Sequence, residues 1–204
     1  MAEQIQEKGF KIFDLYDVSN IEIKDPTLKG YLTVNSKLLL KSHGRNTEKM
    51  ANSKVNVVER LVGHLGVPGH AGKKQKIITN WASGKYNKNM RTAMEALKII
   101  ETKTKKNPVQ VLVTAVENGS PRDEITVIEH AGARYPQAVD CSPMRRVNLA
   151  LRWFVQGAYG KAFGKKKKIS EVLADEIIKA GEGSMESFAC NKRNEAEKQA
   201  DSAR

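Results

Sequence analysis

The clearest hydrophobic pattern in the chain lies between Ser142 and Ala158, where apolar residues recur every three or four positions. This period is that of an amphipathic α-helix, and Ser142 followed by Pro143 suits its N-cap and first helical position. The predicted apolar face carries Val147, Ala150, Leu151, Phe154 and Ala158. The predicted exposed face carries Arg145, Asn148, Arg152, Gln156 and Tyr159. Arginines, amides and a tyrosine on one face have the chemistry of a surface that contacts phosphates and bases.

Three more helices are predicted in the first half of the chain. One starts near Lys54 and stops at the Gly-rich turn of residues 66–69, and a short one covers residues 77–81. In the third, Asn87 is expected to cap a long helix whose apolar face runs from Met90 to Ile100 at helical spacing. These segments predict a largely helical core.

Two further segments are also expected to be helical. The run from Pro108 to Val116 is rich in β-branched residues, so propensity alone allows either a helix or a strand. Its proline start and the Asn118–Gly119 stop favour a helix. Ser170 is expected to cap a helix that ends at Gly181. The polar residues from Ser184 onward predict a marginal or partner-stabilised helix, or a disordered tail.

A β-hairpin is predicted in front of the helix that follows Ser142. Residues 125–129 alternate between apolar and polar types, and residues 137–140 can pair with them across a connection that contains Gly132. This hairpin would feed directly into the arginine-bearing helix.

Residues 1 to about 45 have no long period, which predicts an irregular extension draped on the core, with short strands. Its expected apolar anchors are Phe10, Ile12, Phe13, Leu15 and Tyr16, followed by Leu38, Leu39 and Leu40.

The charge balance narrows the class of partner. The chain has 204 residues with 35 Lys and Arg against 23 Asp and Glu, a formal net charge of +12. Such an excess favours nucleic acid first and an anionic membrane second. No apolar run approaches the roughly 20 residues of a spanning helix, and we expect no secretory or lipidation signal. Cys141 and Cys190 lack metal-ligand spacing and favour a reduced, cytosolic environment.

Lysines cluster at sites where phosphate binding is chemically reasonable. The densest run is Lys165–Lys168, for which an ordinary solvated surface is the alternative to nucleic-acid contact. Lys73, Lys74 and Lys76 follow a Gly-rich loop at a predicted helix start, where backbone N–H groups attract phosphate oxygens. A nucleotide-binding P-loop is excluded, because Val67 stands where its first glycine is required and Lys74 where it needs a hydroxyl.

Aromatic residues divide between the core and the surface. Trp81 and Trp153 fall at or beside apolar faces, which favours core packing over base stacking. Tyr135 and Tyr159 suit stacking on RNA bases, with capping of the hydrophobic core as the alternative.

Catalytic and metal-binding patterns are weak. His64 and His70 lie six residues apart, but no Cys or carboxylate cluster completes a ligand set, so ordinary surface or loop histidines are expected. A rival hypothesis is a metal-dependent nucleic-acid-processing enzyme that uses Asp140, Glu129 and His130. The predicted hairpin would place these three on an exposed projection. We therefore expect a protein that is not an enzyme and that uses no cofactor, metal or small-molecule substrate.

Several blocks in family order resemble the small-subunit ribosomal protein seven family. Residues 140–148, DCSPMRRVN, resemble its signature, and residues 107–113 and 173–178 are similar to its archaeal and eukaryotic branch. The ending is also similar to that branch, with Ser187-Phe188-Ala189, Asn191-Lys192-Arg193 and a terminal Arg204. The resemblance runs from about residue 50 to the end of the chain.

The resemblance implies a mainly α fold, a bundle of about six helices with a protruding β-hairpin between the fourth and fifth helices and an irregular N-terminal extension. Residues 1–50 would be the extension, 51–186 the rRNA-binding core with the hairpin at 125–140, and 187–204 a C-terminal tail or helix. It implies a structural protein of the small ribosomal subunit in the cytoplasm. Such a protein binds the 3′ major domain of the rRNA, nucleates head assembly and lies near the mRNA exit channel and the E-site tRNA.

Basic residues in these blocks and clusters are the expected rRNA contacts. They are Lys41, Arg45, Lys73, Lys74, Lys76, Arg91, Lys103, Lys105, Arg122, Arg145, Arg146, Arg152, Lys165, Lys166, Lys167 and Lys168. The positions expected near tRNA and mRNA are His130, Arg134, Tyr135, Lys192 and Arg193. Neighbouring small-subunit proteins are further expected partners, and a membrane is not. The alternative is a regulatory RNA-binding protein outside the ribosome.

Overall fold

The computed structural model describes residues 11–35, 47–71, 74–75 and 81–204. Within them lie six α-helices and two small antiparallel sheets, one sheet between the first and second α-helices and the other between the third and fourth, and a 3₁₀ turn at Ala51–Lys54 precedes the first α-helix. The helices are α1 (Val57–Leu65), α2 (Tyr86–Thr104), α3 (Pro108–Gly119), α4 (Pro143–Ala162), α5 (Ile169–Gly181) and α6 (Phe188–Asp201). The strands are β1 (His70–Ala71), β2 (Lys74–Gln75), β3 (Asp123–His130) and β4 (Ala133–Asp140).

The predicted mainly α fold with a hairpin is confirmed. The hairpin lies between α3 and α4. The sequence-based numbering placed it between the fourth and fifth helices because it counted a short helix at residues 77–81. Of that segment only Trp81 is among the described residues, where it lies in a bend before α2.

The core forms where α5 packs against α2, α3 and α4. Every residue of the predicted apolar face of α4 is buried, with Phe154 among the largest fully buried side chains. Leu173 and Ile177 of α5 and Leu97 and Ile100 of α2 join the same cluster. Burial of this stripe, rather than helix propensity, supplies most of the stability of such helices.

Several helix starts differ from the sequence-based expectations. The Asn107 side chain accepts a hydrogen bond from the Val109 backbone N–H at 3.0 Å, which confirms the α3 start. Ser142 is the N-cap of α4, but its hydroxyl makes no capping hydrogen bond. The expected Asn87 and Ser170 caps are wrong, since α2 begins at Tyr86 and α5 at Ile169, so both residues lie inside the first helical turn.

The hairpin keeps one register along its whole length, from the pair Asp123–Asp140 to the pair His130–Ala133. Two residues connect the strands, Ala131 with φ of 50° and Gly132 with φ of 79°. Two positive φ values at the central positions define a type I′ turn, the geometry that matches the natural twist of hairpin strands. Glycine adopts it freely, whereas alanine is strained by its Cβ atom.

Replacing Ala131 with asparagine should therefore stabilise the hairpin by about 0.5–1 kcal/mol, because asparagine tolerates the left-handed region better than alanine does. Hydrogen exchange of the hairpin amides should slow by the factor that corresponds to this gain in free energy. Gly132→Ala is the matched control and should speed the same exchange. Faster exchange in Ala131→Asn would contradict the turn geometry.

The N-terminal segment at residues 11–35 lies on the helical core, with Ile12, Leu28 and Leu32 fully buried. The polar face of α3 binds its backbone, as the Gln110 side-chain amide accepts from Glu22 N–H at 2.9 Å and donates to Glu22 C=O at 3.0 Å. One expected anchor is wrong: Leu15 is 52% exposed, because the tight turn that pairs Ile12 with Tyr16 points it outward.

Two of the other expected anchor sites lie outside the described residues, Phe10 and the run Leu38–Leu40. Phe13 is partly buried against the core and Tyr16 is buried, as expected. The expected short strands reduce to the single bridge between Ile12 and Tyr16 in the described part of this extension.

The polar C-terminal residues form a helix that docks on the core. Glu176 of α5 is 1% exposed and accepts hydrogen bonds from the Ser187 hydroxyl at 2.7 Å and the Ala189 N–H at 3.3 Å. Lys161 of α4 pairs with the other carboxylate oxygen at 2.6 Å. A Cβ at Gly157 would lie 2.7 Å from Phe188 Cβ, so glycine permits the close approach of α4 and α6. These contacts explain why a sequence of low hydropathy is helical here.

Candidate nucleic-acid interface

Exposed basic residues collect on α2, on α4 and on the loop between α4 and α5. Arg91 and Arg152 are exposed on their helices, and Lys105 is exposed at the left-handed C-cap of α2. The structure shows no ion pair between these three and any carboxylate of the described residues. Within the described part of the chain, their positive charge therefore has no carboxylate partner.

The run Lys165–Lys168 forms the loop that connects α4 to α5, and all four residues are exposed. Gly164, at φ of 72°, turns the chain out of α4 immediately before it. Lys168 is the N-cap of α5, so the run lies beside the positive end of that helix dipole. No carboxylate pairs with the four lysines within the described ranges, so this loop presents four positive charges to which phosphate is attracted.

Arg145 and Arg146 are neighbours in sequence but have different environments. The Arg145 guanidinium is about half-exposed and pairs with Glu124 at the base of the hairpin at 2.6 Å. The hydrogen bond that Arg145 Nε donates to the Glu124 carboxylate raises the pKa of Arg145 further, so the guanidinium stays charged. This position is compatible with the expected phosphate contact.

Arg146 is only 6% exposed, so the expectation that its guanidinium faces rRNA does not fit the structure. Nη2 pairs with Asp25 at 2.8 Å and Nη1 donates to the Thr27 hydroxyl at 2.5 Å. Nε donates to the Pro121 carbonyl at 3.1 Å, and Nη2 also reaches the Ser120 hydroxyl. Arg146 therefore ties the N-terminal segment to the end of α3 and the start of α4.

Other expected contacts also have intramolecular partners. Lys103 pairs with Asp175, Lys192 with Glu195 and Arg134 with Glu129. Arg193 donates to the Asn118 carbonyl and to the Asn194 side chain. Surface ion pairs of this kind are weak and can be replaced by a contact with a phosphate. These residues therefore remain candidate RNA contacts, although their partners reduce the positive charge that they present.

Arg122 is exposed just before β3, and its backbone N–H donates to Glu197 of α6 at 3.0 Å. This hydrogen bond fixes the entry of the hairpin against α6. The Arg122 side chain is exposed at the hairpin base, where it can contact RNA.

The aromatic residues are placed differently from one another. Tyr135 is 59% exposed on the hairpin, as its expected stacking role requires. Tyr159 is 5% exposed and belongs to the core, so its predicted place on the exposed face of α4 is wrong and the alternative of packing with the hydrophobic core is confirmed. Trp153 packs partly against the core. Trp81 is 37% exposed, with the Lys88 ammonium 3.9 Å from its ring centroid.

Five expected rRNA contacts fall wholly or partly outside the described residues. The described residues do not include Lys41, Arg45, Lys73 and Lys76. Lys74 is described only as a backbone position of β2. His130 is likewise described only as the last backbone position of β3.

The carboxylates of the rival enzyme hypothesis do not converge. Asp140 is paired with Asp123 at the hairpin base, and Glu129 lies opposite Arg134 next to the tip. Six residues of strand separate the two positions, which corresponds to about 20 Å. Across the described part of the chain no group of three or more His, Cys, Asp or Glu residues could hold a metal ion.

Sequence reasoning did not single out Arg60 and expected His64 to be an ordinary surface or loop histidine, whereas both lie on helix α1 and His64 is partly buried. Arg60 is buried and donates Nη1 to the Tyr31 carbonyl at 2.8 Å and Nη2 to Asn148 of α4 at 2.9 Å. The available signal was the spacing: Arg60 and His64 lie one turn apart, as do Asn148 and Arg152. The two pairs meet where α1 packs against α4.

Taken together, these features define a basic, mainly helical protein whose surface cations suit a polyanion and whose hairpin projects from the core. No helix among the described residues combines the length and apolar character needed to span a membrane. The family model described as "Ribosomal protein S7p/S5e" matches residues 34–204. The chain belongs to this family.

Curated relatives agree with that family along nearly the whole chain. The small ribosomal subunit protein uS7 of Nanoarchaeum equitans is 42% identical over 95% of this chain and 98% of its own length. The uS7 proteins of Archaeoglobus fulgidus and Methanosphaera stadtmanae are 42% and 41% identical. Those alignments cover 95% and 96% of this chain and 94% and 99% of the relatives. These archaeal relatives confirm the resemblance to the archaeal and eukaryotic branch that the sequence shows.

Proposed function

We propose that this protein is a structural constituent of the small ribosomal subunit that binds small-subunit rRNA. The observation that carries the proposal is the exposed lysine run at residues 165–168, which has no carboxylate partner among the described residues, in a chain of this family. Exposed lysines neutralise phosphates and release counterions, so binding of this kind is strong and depends on salt.

In this mechanism, surface cations contact the RNA and the rigid helical core holds them in position. The core of α2, α3, α4 and α5 fixes the relative positions of the cations on its surface. Lys165–Lys168, Arg91 and Arg152 then contact phosphates where RNA helices converge, and Arg145 contributes at the hairpin base. Double-stranded RNA is recognised largely through its shape and backbone, so a rigid pattern of cations selects one arrangement of helices.

The finer proposal follows from the resemblance. The rRNA partner is the 3′ major domain, binding nucleates assembly of the subunit head, and the hairpin and α6 lie near the mRNA exit channel and E-site tRNA. Tyr135, 59% exposed on β4, supports a stacking contact from the hairpin. The division into an extension at 1–50, a core at 51–186 and a C-terminal element at 187–204 belongs to this proposal, as do neighbouring ribosomal proteins and the cytoplasmic location.

Sedimentation of a cell lysate through a sucrose gradient tests the proposal. A tagged copy of the full chain should co-migrate with free small subunits and with 70S or 80S particles. Removal of Mg²⁺ should shift it from the particles to the small-subunit fractions. A chain found only in the light fractions would instead identify a regulatory RNA-binding protein and overturn the proposal.

A further inference from the structure

Four side chains of α1 and α4 form a group that the proposed contacts above do not fully use. We call Arg60, His64, Asn148 and Arg152 the α1–α4 cluster. Asn148 lies at its centre, since its Oδ1 accepts from Arg60 Nη2 at 2.9 Å and its side chain also hydrogen-bonds to His64. Arg152, one turn further along α4, is exposed.

The cluster lacks a negative charge. The charged groups that act on His64 are Arg152 from α4 and Arg60 from its own helix, and both disfavour a protonated imidazole. On the side of α1 that faces α2 lie Glu59 and Tyr86; Glu59 acts on Tyr86, and neither contributes to the pKa of His64. Glu59 is five residues from His64, or about 140° around the helix. Within the described ranges, no carboxylate compensates the two arginines.

Burial, then the charges of Arg152 and Arg60, lower the pKa of His64 to about 4. The imidazole is therefore neutral near pH 7 in the free protein. Burial also lowers the pKa of Arg60 to about 10, which leaves that guanidinium charged near neutral pH. The free protein thus holds two positive charges beside an imidazole that they keep unprotonated.

We propose that the α1–α4 cluster is a phosphate site and that binding of RNA there protonates His64. This inference rests on the proposed rRNA binding and adds that RNA binding is coupled to protonation of His64. A phosphate beside Arg152 and His64 supplies the missing negative charge, which offsets the repulsion from both arginines and favours the imidazolium. The proton comes from solvent, and the charged imidazole donates it in a hydrogen bond to a phosphate oxygen. Arg60, which is buried, acts through its charge and through Asn148.

The sign of the pH dependence follows from this linkage. The complex binds one more proton than the free protein between the free and bound pKa values of His64, so RNA affinity rises as the pH falls through the bound value. At constant ionic strength, the full chain should bind a 3′-major-domain rRNA fragment about fourfold or more tightly at pH 5.5 than at pH 7.5. His64→Gln should lose this dependence, with a ratio of affinities between pH 5.5 and pH 7.5 close to one.

The matched control is Lys167→Gln, which removes an exposed positive charge outside the cluster. It should weaken binding at both pH values and keep the wild-type ratio between them. NMR of the His64 ring should show a rise in its pKa when the RNA fragment is added to the full chain, and thermal melting should confirm that His64→Gln is folded.

A wild-type pH ratio in folded His64→Gln, or an unchanged His64 pKa in the complex, would overturn the linkage while rRNA binding stands. Absence of RNA binding by the wild-type chain at every pH would instead overturn the proposed function. The two failures are therefore distinguishable.

Discussion

Arg146→Ala should lower the free energy of unfolding by about 3–5 kcal/mol, the range measured when one partner of a buried ion pair is removed. The substitution strands the Asp25 carboxylate and leaves the Pro121 carbonyl without its guanidinium donor. It also releases the N-terminal segment from the start of α4. Urea denaturation followed by circular dichroism measures the change.

Arg145→Ala is the matched control for this prediction. Its guanidinium is about half-exposed and makes one ion pair, with Glu124. A pair at the surface contributes about 1 kcal/mol or less, so the control should unfold close to the wild type. Equal losses of stability in the two variants would contradict the contrast between the neighbouring arginines. For RNA binding, Arg145→Ala is the informative variant, because a double substitution with Arg146 would mix binding with unfolding.

The Asp25–Arg146 pair also predicts an acid dependence. Burial acts to raise the pKa of Asp25, but hydrogen bonds from Thr27 and Arg146 outweigh it, so its pKa lies below the usual value of 3.8. A carboxyl with a lowered folded-state pKa stabilises the fold above its unfolded-state pKa and loses that contribution as the pH falls through the lowered value. Arg146→Ala should therefore lose less stability than the wild type between pH 5 and pH 2.

Neutralising Lys165, Lys166 and Lys167 to glutamine together should have the largest effect on rRNA affinity. Each lost phosphate contact reduces the slope of log affinity against log salt by about 0.7–0.9, so the triple variant should show a slope shallower by about two. Lys168 is kept because it is the N-cap of α5. A filter-binding titration across salt concentrations, with a 3′-major-domain fragment, measures both affinity and slope.

The control for the lysine run neutralises three cations that already have carboxylate partners, Lys54, Lys179 and Arg204. It removes the same formal charge, so it separates local phosphate contact from the general effect of net charge. Its slope should stay within about one of the wild type. If control and triple variant lose affinity equally, long-range attraction replaces the lysine loop as the explanation.

The sequence was sufficient for elements whose pattern is local. All five residues that the helical period assigned to the apolar face of α4 are buried, and Pro108 with Asn107 identified α3 as a helix despite its β-branched content. Alternation identified the paired strands, since a side-chain period of two is specific to strands.

The sequence was insufficient where distant segments decide the environment. Arg146 is buried because Asp25 and Thr27, more than a hundred residues earlier, fold over it. Tyr159 is buried because the core extends around the end of α4, which a helical period cannot reveal. Helix α6 depends on Glu176 and on the close approach at Gly157. Neither contact can be predicted from the composition of α6.

The α1–α4 cluster has the same origin. Arg60 and His64 belong to one helix and Asn148 and Arg152 to another, so only tertiary packing brings the arginines together. The spacing of each pair was visible in the sequence. That no described carboxylate lies between the two pairs could be seen only from the positions of the described residues around α1.

Hydroxyl-radical footprinting of small-subunit rRNA by the purified full chain shows directly where the protein binds. We expect protected backbone positions confined to the 3′ major domain, with part of that protection lost in the Lys165, Lys166 and Lys167 triple variant. Protection in another domain, or an rRNA cleavage pattern unchanged by saturating protein, would contradict this expectation.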